Sequence, residues 1–189
     1  MTKVIITSIF LGIGLAMDAC AVSMANGLKE PKMKLNKTLI IATMFGVFQG
    51  LMPFFGYLVG CQFLTKIEWI IPWVALILLG YIGGNMLIGG IKNKDEEEEF
   101  KDLTIKVLFV QAIATSIDAL SVGFSIANYT LLEAIVCVSF ITFITFAICV
   151  AAVFVGKKFG TKLGNKAEIL GGIILIAIGL EIFITGMFF

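Results

Sequence analysis

The chain has 189 residues, 59% of them hydrophobic, with a mean hydropathy of +1.05 and a net charge of +1. That composition excludes an ordinary soluble domain, whose charges would spread over its surface, and gives no electrostatic reason to expect nucleic acid or an anionic soluble partner. The charges sit instead in short runs between apolar blocks, the pattern of a helical protein that crosses a membrane several times.

Taken in order, six blocks are long enough to cross a hydrocarbon core of about 30 Å at about 1.5 Å per helical residue. They cover residues 4–26, 38–60, 70–91, 107–128, 131–155 and 169–188. The first follows a single Lys3 and could be read as a cleaved leader. It is expected to be a span, because no soluble mature domain follows and the block carries Asp18. Pro31 falls in a polar loop and Pro72 near the start of the third block, both ordinary positions, whereas Pro53 falls inside the second.

Lysine placement predicts the orientation, since cytoplasmic loops carry the basic excess. All 14 basic residues are lysines. Only Lys3 and Lys66 lie outside the first, third and fifth loops, so both termini are expected outside. The lysines could alternatively bind anionic lipid or a protein partner, but topology alone explains them.

The fourth block carries a lone carboxylate. At helical spacing Gln111, Thr115, Asp118, Ser121 and Ser125 fall on one face of it. A charged side chain at the centre of a span costs roughly 2.5–3.5 kcal/mol on insertion scales, so it is expected to face the bundle interior or a wet cavity. Asp18 stands one hundred residues earlier in a similar context. The same offset relates Ala19 to Ala119, Val22 to Val122, Gly56 to Gly156, Gly60 to Gly160, Lys66 to Lys166 and Glu68 to Glu168.

Three spans per repeat is an odd number, which threads the halves in opposite senses. The expected architecture is therefore an all-α integral membrane protein of six transmembrane helices in two inverted repeats, residues 1–91 and 107–189, with the substrate site between the halves. The join, 92–106, contains five consecutive acids at 95–99 and reads as a solvated cytoplasmic linker, or as a weak cation-collecting antenna.

Two membrane aspartates admit three kinds of protein. In a cation transporter, hard carboxylate oxygens replace the water shell of a divalent ion, helped by hydroxyls and amides. Candidate helpers are Ser23 and Asn26 in the first span, Gln49 in the second, Thr115, Ser116, Ser121 and Ser125 in the fourth, and Asn128. An intramembrane hydroxyl more often bonds its own helix backbone. Gln49 stands better, because a buried amide needs a partner and nearby Pro53 frees backbone carbonyls.

An intramembrane aspartyl protease also uses two aspartates from different helices, but its usual G-x-G-D is missing at both positions. A purely structural role suits one buried acid. Repeat-matched acids beside Gly12, Gly14, Ala16, Ala19, Ala21 and Ala25 favour a close-packed functional centre.

Without histidine, imidazole serves neither as ligand nor as proton relay. Cys20, Cys61, Cys137 and Cys149 form no C-x-x-C, so a soft-metal site is disfavoured, with Cys20 the only one close to an aspartate. Oxygen ligands suit manganese, magnesium, calcium or protons. Glu181 has no acidic repeat mate and lies within about two turns of the chain's outward end, where it can reach the interface.

The segments LAMDACAVS at 15–23, FGVFQGLMPFFG at 45–56, AIATSIDALSVG at 112–123 and GNKAEILGG at 164–172 together resemble the bacterial manganese efflux pump family, MntP. The resemblance covers essentially the whole chain. It implies a non-enzymatic exporter in the bacterial plasma membrane, with Mn2+ as its transported substrate, no other cofactor, the lipid bilayer as its surroundings, and Asp18 and Asp118 as the leading functional residues. Asn85 and Gly89 stand where the family commonly has a basic and an acidic residue. Export of another divalent cation or a small solute is the alternative, since oxygen sites discriminate weakly among such ions.

Overall fold

A computed structural model describes residues 2–59, 71–92, 103–163 and 165–188. The acidic run at 95–99 and the expected pair members Gly60, Lys66 and Glu68 lie outside the described residues, as does Cys61. Seven helices are found among the described residues: α1 (Thr2–Lys29), α2 (Leu35–Val59), α3 (Ile71–Lys92), α4 (Ile105–Thr115), α5 (Ile117–Ser125), α6 (Leu131–Leu163) and α7 (Asn165–Phe188). By length and composition α1, α2 and α6 can each cross a membrane, and α4 with α5 passes the same test only as a bent pair, a broken span or a re-entrant loop. Shorter apolar stretches, Leu79–Ile88 and Ile169–Glu181, lie in α3 and α7.

The outside of the bundle is as apolar as its inside. Phe10, Phe143 and Tyr81 are about 70% exposed (72%, 71% and 70%). An aqueous surface would not carry so many large apolar groups, whereas lipid tails solvate them at no cost. Inside, one apolar cluster centres on Ile41, Phe45, Leu79, Met86, Leu108 and Val153. A second gathers Leu15, Ala119, Ile126, Cys137 and Ile141.

Two of the close glycine contacts join helices from the two halves of the chain. A Cβ on Gly156 of α6 would overlap the Met24 carbonyl and crowd Gly27, both on α1. A Cβ on Gly56 of α2 would likewise overlap the Leu120 carbonyl and crowd Gly123 on α5. Only glycine permits backbones to meet this closely, and small residues of this kind mark tight helix contacts in membranes. The matched glycines Gly56 and Gly156 thus each seat a helix of one half of the chain on a helix of the other.

Helix ends follow local chemistry. Pro31 stands two residues beyond α1, and the turn it belongs to is tied to α6: the Lys157 ammonium donates to the Met33 carbonyl at 2.6 Å, and Gly160 lies against Pro31. The N-terminus of α6 is a capping box in which the Thr130 amide donates to Glu133 Oε2 (3.0 Å) and the Glu133 amide to Thr130 Oγ1 (3.4 Å). Pro53 does not interrupt α2, and its carbonyl is packed against Gly123.

One expectation is corrected. The block 107–128 is not a single helix but α4 and α5, bent by 41° at Ser116. Ser116 adopts φ −108° and ψ 6°, and its amide bonds Ile113 three residues back, so the α-helical ladder lapses there. The polar face expected along this block is accordingly divided. Gln111 and Thr115 are buried, whereas Asp118, Ser121 and Ser125 are exposed.

Candidate metal-ion site

The break governs the surroundings of Asp118. In an unbroken helix the Thr115 carbonyl would accept from the Ala119 amide. That amide instead donates to Asp118 Oδ1 at 2.9 Å, and the Thr115 carbonyl accepts from Gln49 Nε2 at 2.6 Å. The same nitrogen donates to the Leu15 carbonyl of α1 at 3.1 Å. Leu15 and Thr115 are themselves one hundred residues apart, each three residues before an aspartate.

Asp18 is half-buried on α1, and its carboxylate lies within electrostatic range of Asp118. Glu181 of α7, exposed, lies within such range of Asp18. Among the described residues no three histidine, cysteine, aspartate or glutamate side chains come together in a group able to hold a metal ion. A hard dication bound here would therefore take its remaining oxygens from neutral groups or water.

The other sequence candidates are distributed as follows. Thr115 Oγ1 donates to the Gln111 and Ala112 carbonyls (3.0 and 3.3 Å), and Ser116 Oγ to those of Ala112 and Ile113 (2.7 and 3.1 Å). Both hydroxyls thus serve their own helix. Asn26 is fully buried and exchanges two hydrogen bonds with Gln111, Asn26 Nδ2 to Gln111 Oε1 at 2.9 Å and Gln111 Nε2 to Asn26 Oδ1 at 3.3 Å. Ser23 is buried, its hydroxyl without a hydrogen-bond partner, as are Gln49 Oε1 and Thr145 Oγ1. Ser121, Ser125 and Asn128 are exposed, as is Asn85 on α3.

The amide pair joins α1 to α4 across 85 residues of chain. From sequence alone Asn26 is a candidate ligand and Gln111 only part of a polar face. Nothing in either residue's neighbourhood could have announced the partner. Asn26→Leu and Gln111→Leu should each cost about 1–2 kcal/mol, because each leaves the other amide buried and unpaired. The double variant should cost less than the sum, and thermal unfolding in detergent measures all three.

A family model described as "Putative manganese efflux pump" (Mntp) matches residues 32–183. The chain belongs to the manganese efflux pump family. Its relatives in this family include a protein of Ruminiclostridium cellulolyticum, 46% identical over 96% of each chain. Another, from Gloeothece citriformis, is 43% identical over 98% of this chain and 97% of the relative. A third, from Rippkaea orientalis, is 42% identical over 97% of both. All three carry the name "Putative manganese efflux pump MntP". No solved structure matches the chain.

Proposed function

We propose that the chain exports Mn2+ from the cytoplasm across the bacterial plasma membrane by alternating access, with Asp18 and Asp118 as the carboxylates that take the ion. The proposal includes six spans in two inverted repeats, 1–91 and 107–189, joined by the linker 92–106, with both termini outside. The observation that carries it is the Gln49 amide, which joins the backbone three residues before Asp18 to the backbone three residues before Asp118 in a chain whose family is that of manganese efflux pumps. Support for the inverted repeat comes from Gly56 and Gly156, which seat α2 on α5 and α6 on α1 in corresponding fashion.

Two carboxylates held near each other in a membrane repel when both are ionised, so the empty site retains a shared proton that the arriving cation displaces. That makes the cycle an exchange of Mn2+ for protons. Ser121, one turn beyond Asp118 and exposed, is the best placed of the supporting oxygens. Ser23, Asn26, Gln49, Thr115 and Ser116 would first have to leave buried positions.

Inverted vesicles provide the test. Vesicles containing the chain should accumulate Mn2+ above those lacking it, more than Mg2+ or Ca2+, and faster when the lumen is acid. Equal Mn2+ accumulation in both kinds of vesicle would dispose of the export reading, and equal handling of all three ions would leave export of divalent cations without selectivity for manganese.

A further inference from the structure

Gln49 is completely buried, and the two groups within reach of its side-chain nitrogen are both carbonyl oxygens. Carbonyls only accept, so the amide nitrogen must face them and the side-chain oxygen must face away. That oxygen, Oε1, is buried without a partner. The chain thus tolerates an unsatisfied acceptor at this position in order to supply donors, and the carbonyls that receive them stand three residues before Asp18 and three before Asp118.

We infer that Gln49 is a positioning residue for the ion-carrying aspartates: its amide takes the place of the missing backbone partner of Thr115, holds the α4–α5 break open and ties that break to α1. The inference rests on the reading of Asp118 as a metal carboxylate. The Thr115 carbonyl is free because the ladder lapses at Ser116, and a free carbonyl in an apolar interior must be capped or the helix will close over it. Gln49 caps it. The Ala119 amide, released from Thr115 by the same break, then turns to Asp118 Oδ1, which fixes that carboxylate at the first turn of α5. Without Gln49 the Thr115 carbonyl recovers the Ala119 amide, α4 and α5 straighten into one helix, and Asp118 is carried away from Asp18.

Gln49→Met keeps the length of the side chain and removes both donors, and an apolar replacement in a span does not threaten insertion. Gln49→Glu keeps the shape and, in its neutral acid form, one O–H donor for Thr115. In reconstituted vesicles Gln49→Met should lower Mn2+ transport at least tenfold, and Gln49→Glu should recover a substantial part of it. Hydrogen exchange provides the readout that a mere packing role would not move. The Ala119 amide should exchange several-fold more slowly in Gln49→Met than in the natural chain, having passed from an exposed carboxylate to a backbone carbonyl, and should keep its natural rate in Gln49→Glu. An unchanged Ala119 rate in Gln49→Met, or a Gln49→Glu chain indistinguishable from Gln49→Met in both readouts, overturns the inference. If the natural chain moves no Mn2+ at all, the export reading falls and the exchange rates still decide whether Gln49 holds the break.

Discussion

Asp118→Asn should abolish manganese resistance in a cell that depends on this chain, while leaving the amount of protein in the membrane unchanged. A dication about 4 Å from one unit of negative charge gains about 2 kcal/mol even at the dielectric constant of water, a factor of roughly thirty, and several times more energy in a protein interior. Asparagine preserves the shape and an oxygen that can accept the Ala119 amide, so the break itself survives. Insertion does not suffer, because the substitution removes a charge from the hydrocarbon region rather than adding one. Export therefore falls at least thirtyfold with the fold intact, and Asp18→Asn behaves alike because the two carboxylates share the ion's charge. Efflux of preloaded Mn2+, normalised to membrane protein, measures the loss. Wild-type efflux by either variant contradicts the site.

Gly156→Ala is the substitution expected to do most harm to the fold. Its new methyl would meet the Met24 carbonyl oxygen, the Leu28 amide and the Gly27 Cα, all of them backbone atoms of α1. A flexible side chain could swing aside, but a helix backbone cannot without unseating the pair. Overpacking of this kind costs about 1–3 kcal/mol where neighbours can yield and more where they are backbone. Gly84 is the internal control, since nothing lies within 4 Å of a Cβ built there. At Gly84 alanine should be neutral or stabilising by up to about 1 kcal/mol, the difference in helix propensity. Melting of the two variants in detergent should move in opposite directions.

These expectations depend unequally on what the sequence disclosed. Helix positions were legible because an apolar run is long and its ends are polar: the blocks 4–26 and 38–60 correspond to Thr2–Lys29 and Leu35–Val59. The block ending at 155 falls short of Leu163 because Lys157, Lys158 and Lys162 continue the helix past its apolar portion, and hydropathy registers only that portion. The break at Ser116 was invisible. Thr115, Ser116 and Ile117 include neither proline nor glycine, and the amide that meets the Thr115 carbonyl stands 66 residues away in the chain. The aspartates stood out because a charge in a span is rare, whereas the roles of Gln49, Asn26 and Gln111 are set by partners that only folding brings near. The hydroxyls of Thr115 and Ser116 bond their own helix, as isolated hydroxyls in spans generally do.

The glycine seats constrain how such a molecule can move. Parting α1 from α6 would open a backbone-to-backbone contact and tear the Lys157 tether from the Met33 turn, and parting α2 from α5 would undo its counterpart at Gly56 and Gly123. A Cβ on Gly46 of α2 would also meet the Thr142 carbonyl of α6, so α1, α6, α2 and α5 are linked by successive backbone contacts into one body assembled from both ends of the chain, and a hinge would have to lie outside it.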